Sequence, residues 1–220
     1  MIRNLVLKDN YKAIVFDFDG TLVESIEMKT TAYKDLFHEF PDKWEEIKKY
    51  HLQNEGISRE VKIPYIYDNI LTVRLSAEKE KEAVKSYSDL VYEQMLTIPL
   101  VTGADEIIAA ERGSRKHIIA SGTPEWELKR IFENRGLTKY FDGVYGAPSS
   151  KEKIVRKFSL DSGIPVEKML FVGDAQSDYE ASRACGMDFV WRKRPYNAIE
   201  IAADVEHITV KDMTQLSEML

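Results

Sequence analysis

The stretch Ala13-Ile14-Val15-Phe16-Asp17-Phe18-Asp19-Gly20-Thr21 decides the fold class. Four apolar residues run without a break and stop at two aspartates, a glycine and a threonine. An apolar run this short, with no alternation and closed by Gly and polar residues, fits a strand buried on both faces. Three later runs repeat the pattern. His117-Ile118-Ile119-Ala120 precedes Ser121-Gly122-Thr123, Met169-Leu170-Phe171-Val172 precedes Gly173-Asp174, and Phe189-Val190-Trp191 precedes Arg192. Asp142-Gly143-Val144-Tyr145-Gly146 is a shorter candidate.

Helical stretches fall between these runs. One covers residues 104–112 and stops before Gly113; another covers 124–134, with Thr123 as N-cap, Pro at its first position and Gly136 beyond its end. Residues 151–158 carry Ile154, Val155 and Phe158 at helical spacing, and 178–185 stop before Gly186. Strands alternating with helices predict an α/β fold, a mainly parallel sheet with helices on both faces. The alternation fails once. Between Thr21 and Pro99 there are helical patterns and no strand, a block far longer than one crossover helix needs. It reads as an inserted all-helical cap over residues 22–98, hinged near Leu22-Ser25 and Ile98-Pro99, with a catalytic core formed by 1–21 and 99–220.

Composition narrows the function. A chain of 220 residues with 44% hydrophobic and 31% charged residues is ordinary for a globular protein. Its net charge of −6 argues against nucleic acid as a partner and against an acidic membrane surface. One cysteine, Cys185, allows no internal disulfide and suits a reducing compartment. The first residues contain Arg3, Lys8 and Asp9 in place of a long apolar leader, and no stretch reaches membrane-spanning length, so a cytoplasmic protein is expected. The oligomeric expectation is a monomer or weak dimer.

Ligands of open parallel sheets bind at the carboxyl ends of the strands. Four polar clusters stand there: Asp17 with Asp19, Ser121 with Gly122 and Thr123, Lys151 at a helix start, and Asp174 with Asp178 one helical turn on. Together they suit chemistry on a phosphate ester. One carboxylate can serve as nucleophile on phosphorus. Carboxylates approach a phosphate dianion only if the repulsion is screened, and Mg²⁺ suits carboxylate, carbonyl and phosphate oxygens. Asp17 and Asp174 are natural ligands, and Asp178 is a further ligand or supports one. Asp19 can exchange protons with the leaving oxygen and with water. The Ser121 hydroxyl and the amides near Gly122 are donors for phosphoryl oxygens, and Lys151 adds a positive charge. Any one of these residues alone would be a turn former, a cap or a solvated surface group; the joint pattern carries the reading.

In order along the chain, Asp17-Phe18-Asp19-Gly20-Thr21, Ser121-Gly122-Thr123, Lys151 and Gly173-Asp174-Ala175-Gln176-Ser177-Asp178 resemble the four motifs of the haloacid dehalogenase (HAD) superfamily of phosphatases. Pro99-Leu100-Val101-Thr102-Gly103-Ala104 resembles that family's return from cap to core. The resemblance implies a Rossmann-like core with the first strand central. It also implies an aspartyl-phosphate at Asp17, acid/base work by Asp19, and Mg²⁺ held by Asp17, Asp174 and the backbone carbonyl of Asp19. A helical cap in this position is the family's C1 type, which closes over the site and selects the substrate. Two positions depart from the pattern. Glu152 follows Lys151 where Pro is common, with Lys153 as the alternative site lysine, and Glu24 stands where Asp is common. The loop Gly56-Ile57-Ser58-Arg59 is a candidate to dip into the site, with Arg59 as a contact for a second anionic group. Tyr33 is expected in the cap core, and Arg192-Lys193-Arg194 as a solvated loop, the alternative being that it edges the site or steers anions. The expected activity is hydrolysis of a small phosphorylated metabolite, a sugar phosphate or phospho-organic acid. The alternatives are a phosphomutase on the same scaffold and a non-catalytic phosphate-binding regulatory module.

Overall fold

The computed structural model describes residues 7, 11–110, 113–195 and 207–220. The first strand, β1 (Ala13–Phe16), is completely buried along its length. Its residues alternate between two apolar layers. Ile14 and Phe16 face one cluster, and Ala13 and Val15 the other. That burial on both faces explains the unbroken apolar run in the sequence.

The other strands are β2 (Lys116–Pro124), β3 (Gly143–Ala147), β4 (Met169–Gly173), β5 (Asp188–Arg192) and β6 (Ile208–Val210). They form a parallel sheet in the order β3-β2-β1-β4-β5-β6. The order reverses at β1, so β2 and β4 flank it and their carboxyl ends open beside Asp17, the switch point where such sheets bind ligands. β6 is absent from the sequence-based expectation.

One face of the sheet is covered by α5 (Ala104–Ala110), α6 (Glu125–Asn134) and α9 (Met213–Ser217), through Ile107, Leu128, Phe132 and Leu216. The opposite face is covered by α7 (Lys151–Ser162) and α8 (Gln176–Cys185), through Val155, Phe158 and Ala181. The end of the helix expected over 104–112 lies at residues outside those described. Cys185 is buried in this layer and unpaired. Left-handed glycines stop α7 and α8, Gly163 at φ 69° and Gly186 at φ 73°.

Between β1 and β2 the chain forms α1 (Ile26–Leu36), α2 (Trp44–Gln53), α3 (Arg59–Tyr65), whose last turn widens over Ile66–Ile70, and α4 (Ala77–Thr97). These helices pack around their own cluster of Tyr33, Phe37, Ile47, Ile63, Tyr87 and Val91. Two chain crossings tie them to the sheet. Val101 N donates to Leu22 O and Glu24 N to Pro99 O. Arg135 closes the end of α4 by donating to the carbonyls of Met95 and Ile98, both at 2.9 Å. No helix among the described residues is long and apolar enough to cross a membrane.

Phe132 is fully buried and stacks its edge against Phe18 and Phe141, with ring centroids 4.9 and 5.3 Å away. Phe132→Ala is expected to cost about 3–5 kcal/mol of stability in urea unfolding. A loss under about 1 kcal/mol would mean that α6 does not pack there as described.

Candidate active site

The turn after β1 builds the site from local backbone. Gly20 has φ 75°, and a Cβ at that position would lie 2.2 Å from an Asp174 carboxylate oxygen. Only glycine allows both the turn and this close approach. Thr21 Oγ1 donates to Asp174 Oδ1 at 3.0 Å, fixing one carboxylate oxygen. Arg192 reaches back from β5 and donates to Gly20 O at 2.9 Å and to Glu24. Arg192 is 2% exposed, which corrects the expectation of a solvated loop. Arg194 is also buried and pairs with Asp174 and Glu55.

Asp17, Asp174 and Asp178 offer carboxylate oxygens that all lie within 4.8 Å of one another, and all three side chains are buried. Asp178 orders the second aspartate's loop by accepting from the amides of Asp174 and Ala175 at 3.2 and 3.0 Å. Its other oxygen takes a hydrogen bond from Lys151 Nζ at 2.5 Å, and Lys151 Nζ is 3.2 Å from Asp17 Oδ1. Lys153, the alternative lysine, is exposed.

Electrostatics follow from this crowding. Burial pushes the Asp17 carboxyl well above the usual range; Lys151 opposes the rise, and Asp178, Asp174 and Asp19 add to it. Asp174 is raised to about 6, by burial first, with Arg194 opposing and Asp178 adding repulsion. Asp17 Oδ1 and Asp174 Oδ2 are buried without a hydrogen-bond partner, facing only the charges of Lys151 and Arg194. Converging, underbonded carboxylate oxygens are the donor set a hard divalent cation takes. Asp17 and Asp174 fit that role, with Asp178 placed to support them.

Asp19 is treated differently. Lys29 Nζ lies 2.6 Å from its Oδ1, Ser25 Oγ donates to the same oxygen at 2.7 Å, and Thr123 Oγ1 donates to Oδ2 at 2.8 Å. Burial works to raise its pKa, but Lys29 and the two hydroxyls outweigh it and hold the carboxyl below its ordinary value. Thr123 therefore serves Asp19. It does not cap the following helix, because β2 continues to Pro124 and α6 starts at Glu125. Ser121 Oγ accepts from Thr123 N at 3.1 Å, which leaves its own proton free to donate.

The helices between β1 and β2 close the site. A Cβ on Gly122 would lie 2.2 Å from the carbonyl oxygen of Gly56, so the 54–58 loop rests directly on the end of β2. Ser177 Oγ donates to Glu55 O at 3.2 Å from the other side. The cavity beneath them measures about 60 Å³ and is lined by Asp17, Asp19, Lys29, Lys62, Ser121 and Asp174 among others. A wider groove of about 660 Å³ beside it contains Ser121, Gly122 and Lys151 but none of the aspartates. Arg59 reaches the cavity wall, yet its guanidinium is held bidentate by Glu127 of α6 at 2.7 and 2.9 Å, and it also donates to Ser88. Its charge is already balanced by this link between the helical layer and the sheet. Lys29, Lys62, His51 and Glu55 are the site-facing residues that sequence reasoning did not single out, and Arg194, expected in a solvated loop, faces the site through Asp174 and Glu55.

Comparison with known proteins agrees with this geometry. A family model described as haloacid dehalogenase-like hydrolase matches residues 11–186. A phosphoglycolate phosphatase of Aliivibrio fischeri is 24% identical over 214 residues, covering 93% of each chain. A phosphorylated carbohydrates phosphatase of Thermotoga maritima is 23% identical over 188 residues, covering 82% of this chain and 84% of its own. The crystal structure of a predicted phosphoglycolate phosphatase from Haemophilus somnus superposes with a TM-score of 0.76 at 17% identity, covering 96% of this chain and 98% of that one.

The Arg59–Glu127 pair is 4% and 1% exposed at its two side chains. Glu127→Ala strands a buried guanidinium and is expected to cost about 3–5 kcal/mol in chemical unfolding. The Arg59→Met, Glu127→Met double variant is expected to recover most of that loss; equal stability of wild type and Glu127→Ala would contradict the pairing.

Proposed function

Because the chain belongs to the haloacid dehalogenase-like hydrolases, we propose that it is a Mg²⁺-dependent phosphomonoesterase acting on a small phosphorylated metabolite through an aspartyl-phosphate at Asp17. The observation that carries the reading is the buried cluster of Asp17, Asp174 and Asp178 around Lys151 at the switch point of the sheet. The relatives named above as phosphatases of phosphoglycolate and of phosphorylated carbohydrates support the substrate class.

Magnesium bound by Asp17, Asp174 and the Asp19 carbonyl would screen the carboxylates from the phosphate dianion and stabilise charge on the phosphoryl oxygens. Asp17 attacks phosphorus, forming the new P–O bond as the ester P–O bond breaks. Ser121 donates its free hydroxyl proton to a phosphoryl oxygen, together with amides near Gly122. Lys151 neutralises charge on the transferring group while keeping Asp178 and Asp17 in place.

Asp19 alternates between two protonation states. Protonated, it gives its proton to the departing alkoxide. Ionised, it takes a proton from the water that attacks the aspartyl-phosphate, and it re-enters the cycle protonated. Lys29, Ser25 and Thr123 favour the ionised form, the one the second half-reaction needs. The helical segment 22–98 acts as the cap, keeping bulk water out while the acyl phosphate exists.

Phosphate release from small phosphate esters with Mg²⁺ tests the proposal. Asp17→Asn is expected to lower turnover at least about 10³-fold. Chelation is expected to abolish turnover and added Mg²⁺ to restore it, with Asp174→Ala needing at least about tenfold more Mg²⁺ for half-maximal rate. No release by the wild type, or equal release by Asp17→Asn, refutes the reading.

A further inference from the structure

Arg194 lies two residues beyond β5 and pairs with a carboxylate from each layer. Its Nε is 2.8 Å from Asp174 Oδ2, and its Nη2 donates to Glu55 Oε2 in the 54–58 loop. The Arg194, Asp174 and Glu55 side chains are 4%, 1% and 6% exposed, so water screens neither contact strongly. Asp174 is committed through Oδ1 to Thr21, and its Oδ2 has no hydrogen-bond partner among the described residues. Glu55 is also held at its backbone, where Ser177 Oγ donates to its carbonyl.

A guanidinium suits this position. Its planar fork meets two carboxylates along different edges, where an ammonium offers a single point charge. Its charge does not titrate, so the two carboxylates share one fixed cation. A metal ion taken up by Asp174 comes close to that cation and is repelled by it. Glu55 offsets the repulsion, because its negative charge rests on the same guanidinium. Conversely, a metal ion at Asp174 takes over part of the carboxylate's charge and makes Glu55 the better partner for Arg194. The metal ligand and the loop thus depend on each other, although Glu55 is not part of the carboxylate cluster.

We propose that Arg194 is a positioning residue that ties the metal affinity of Asp174 to the placement of the 54–58 loop, and that Glu55, a carboxylate outside the ligand set, raises that affinity through it. This rests on the reading of Asp174 as a Mg²⁺ ligand. The coupling is reciprocal, because binding free energies at two sites are linked. Mg²⁺ at the cluster tightens the loop over Gly122, and a loop held by Glu55 tightens Mg²⁺. The other charged links between the layers do not touch Asp174: Lys29 meets Asp19, and Arg59 meets Glu127.

Calorimetric titration of Mg²⁺ into wild type, Glu55→Gln, Arg194→Met and the double variant tests this at pH 8. Burial raises the Glu55 carboxyl to about 7, with Arg194 opposing the rise, so Glu55 is ionised at that pH. Glu55→Gln is expected to weaken Mg²⁺ binding at least about fivefold, because the guanidinium then opposes the metal without compensation. Arg194→Met and the double variant are expected to bind Mg²⁺ at least as tightly as wild type, because the repelling charge is gone. A packing role alone would weaken binding in all three variants. Undiminished affinity in Glu55→Gln, or a loss in Arg194→Met as large as in Glu55→Gln, overturns the assignment.

Hydrogen exchange read by mass spectrometry supplies a second measure. Mg²⁺ is expected to slow exchange of the 54–58 segment at least about fivefold in wild type and to leave it unchanged in Arg194→Met. Equal slowing in both overturns the coupling. If wild type itself binds no Mg²⁺, the metal-dependent reading falls and this inference falls with it. If wild type binds Mg²⁺ and Glu55→Gln binds it equally well, this inference alone falls.

Discussion

Three buried carboxylates of like charge, brought within reach of one another at the end of β1, set the terms for the rest of this structure. Unscreened, they would repel and protonate. The chain answers with Lys151 on one side and Arg194 on the other, and commits neighbouring groups to holding that balance. Gly20 is a glycine because the Asp174 carboxylate occupies the space of its Cβ. Thr21 is there to donate to Asp174, and Asp178 sits where two backbone amides and Lys151 can satisfy it. Arg192 fixes the turn from behind through Gly20 O. The topology contributes by reversing strand order at β1, which sets the ends of β2 and β4 on either side of Asp17.

The helical layer extends the same logic to the space above the carboxylates. Lys29 comes down onto Asp19, Glu55 meets Arg194, and Arg59 crosses to Glu127. Each link is buried, so each is strong only while both partners remain in place. Movement of this layer away from the sheet would expose and separate several such pairs together. The apposition therefore couples the position of the helices to the charge state of the site. In the proposed reaction, that coupling keeps bulk water from the acyl phosphate.

Much of this was legible in sequence because it is local or periodic. β1, β2, β4 and β5 announced themselves as unbroken apolar runs, since both faces of each strand are covered. Among the candidate residues, Asp17, Asp19, Ser121 and Asp174 stood out because they lie at strand ends, and Lys151 and Asp178 because they lie in the first turn of the helices that follow β3 and β4. β6 was missed because three residues, Ile208-Thr209-Val210, are too short to show a period. Arg192 and Arg194 resemble a solvated charge run, since their partners Glu24 and Glu55 lie 168 and 139 residues away in the chain. Lys29 and Lys62 sit on amphipathic helices, where a lysine ordinarily marks the wet face; only the packing of helix against sheet turns them inward. Arg59 stood out as an anion contact, and its partner Glu127, 68 positions on, carried no signal of that pairing.

Trapping the phosphoryl group tests the central claim most directly. Rapid quenching during turnover of a small phosphate ester with Mg²⁺, followed by peptide mapping in a mass spectrometer, locates any covalent phosphate. The account predicts an acyl phosphate on Asp17 that forms and decays at rates matching turnover. A phosphoryl group on another residue, or turnover at full rate with none trapped under quench times shorter than the catalytic cycle, contradicts it.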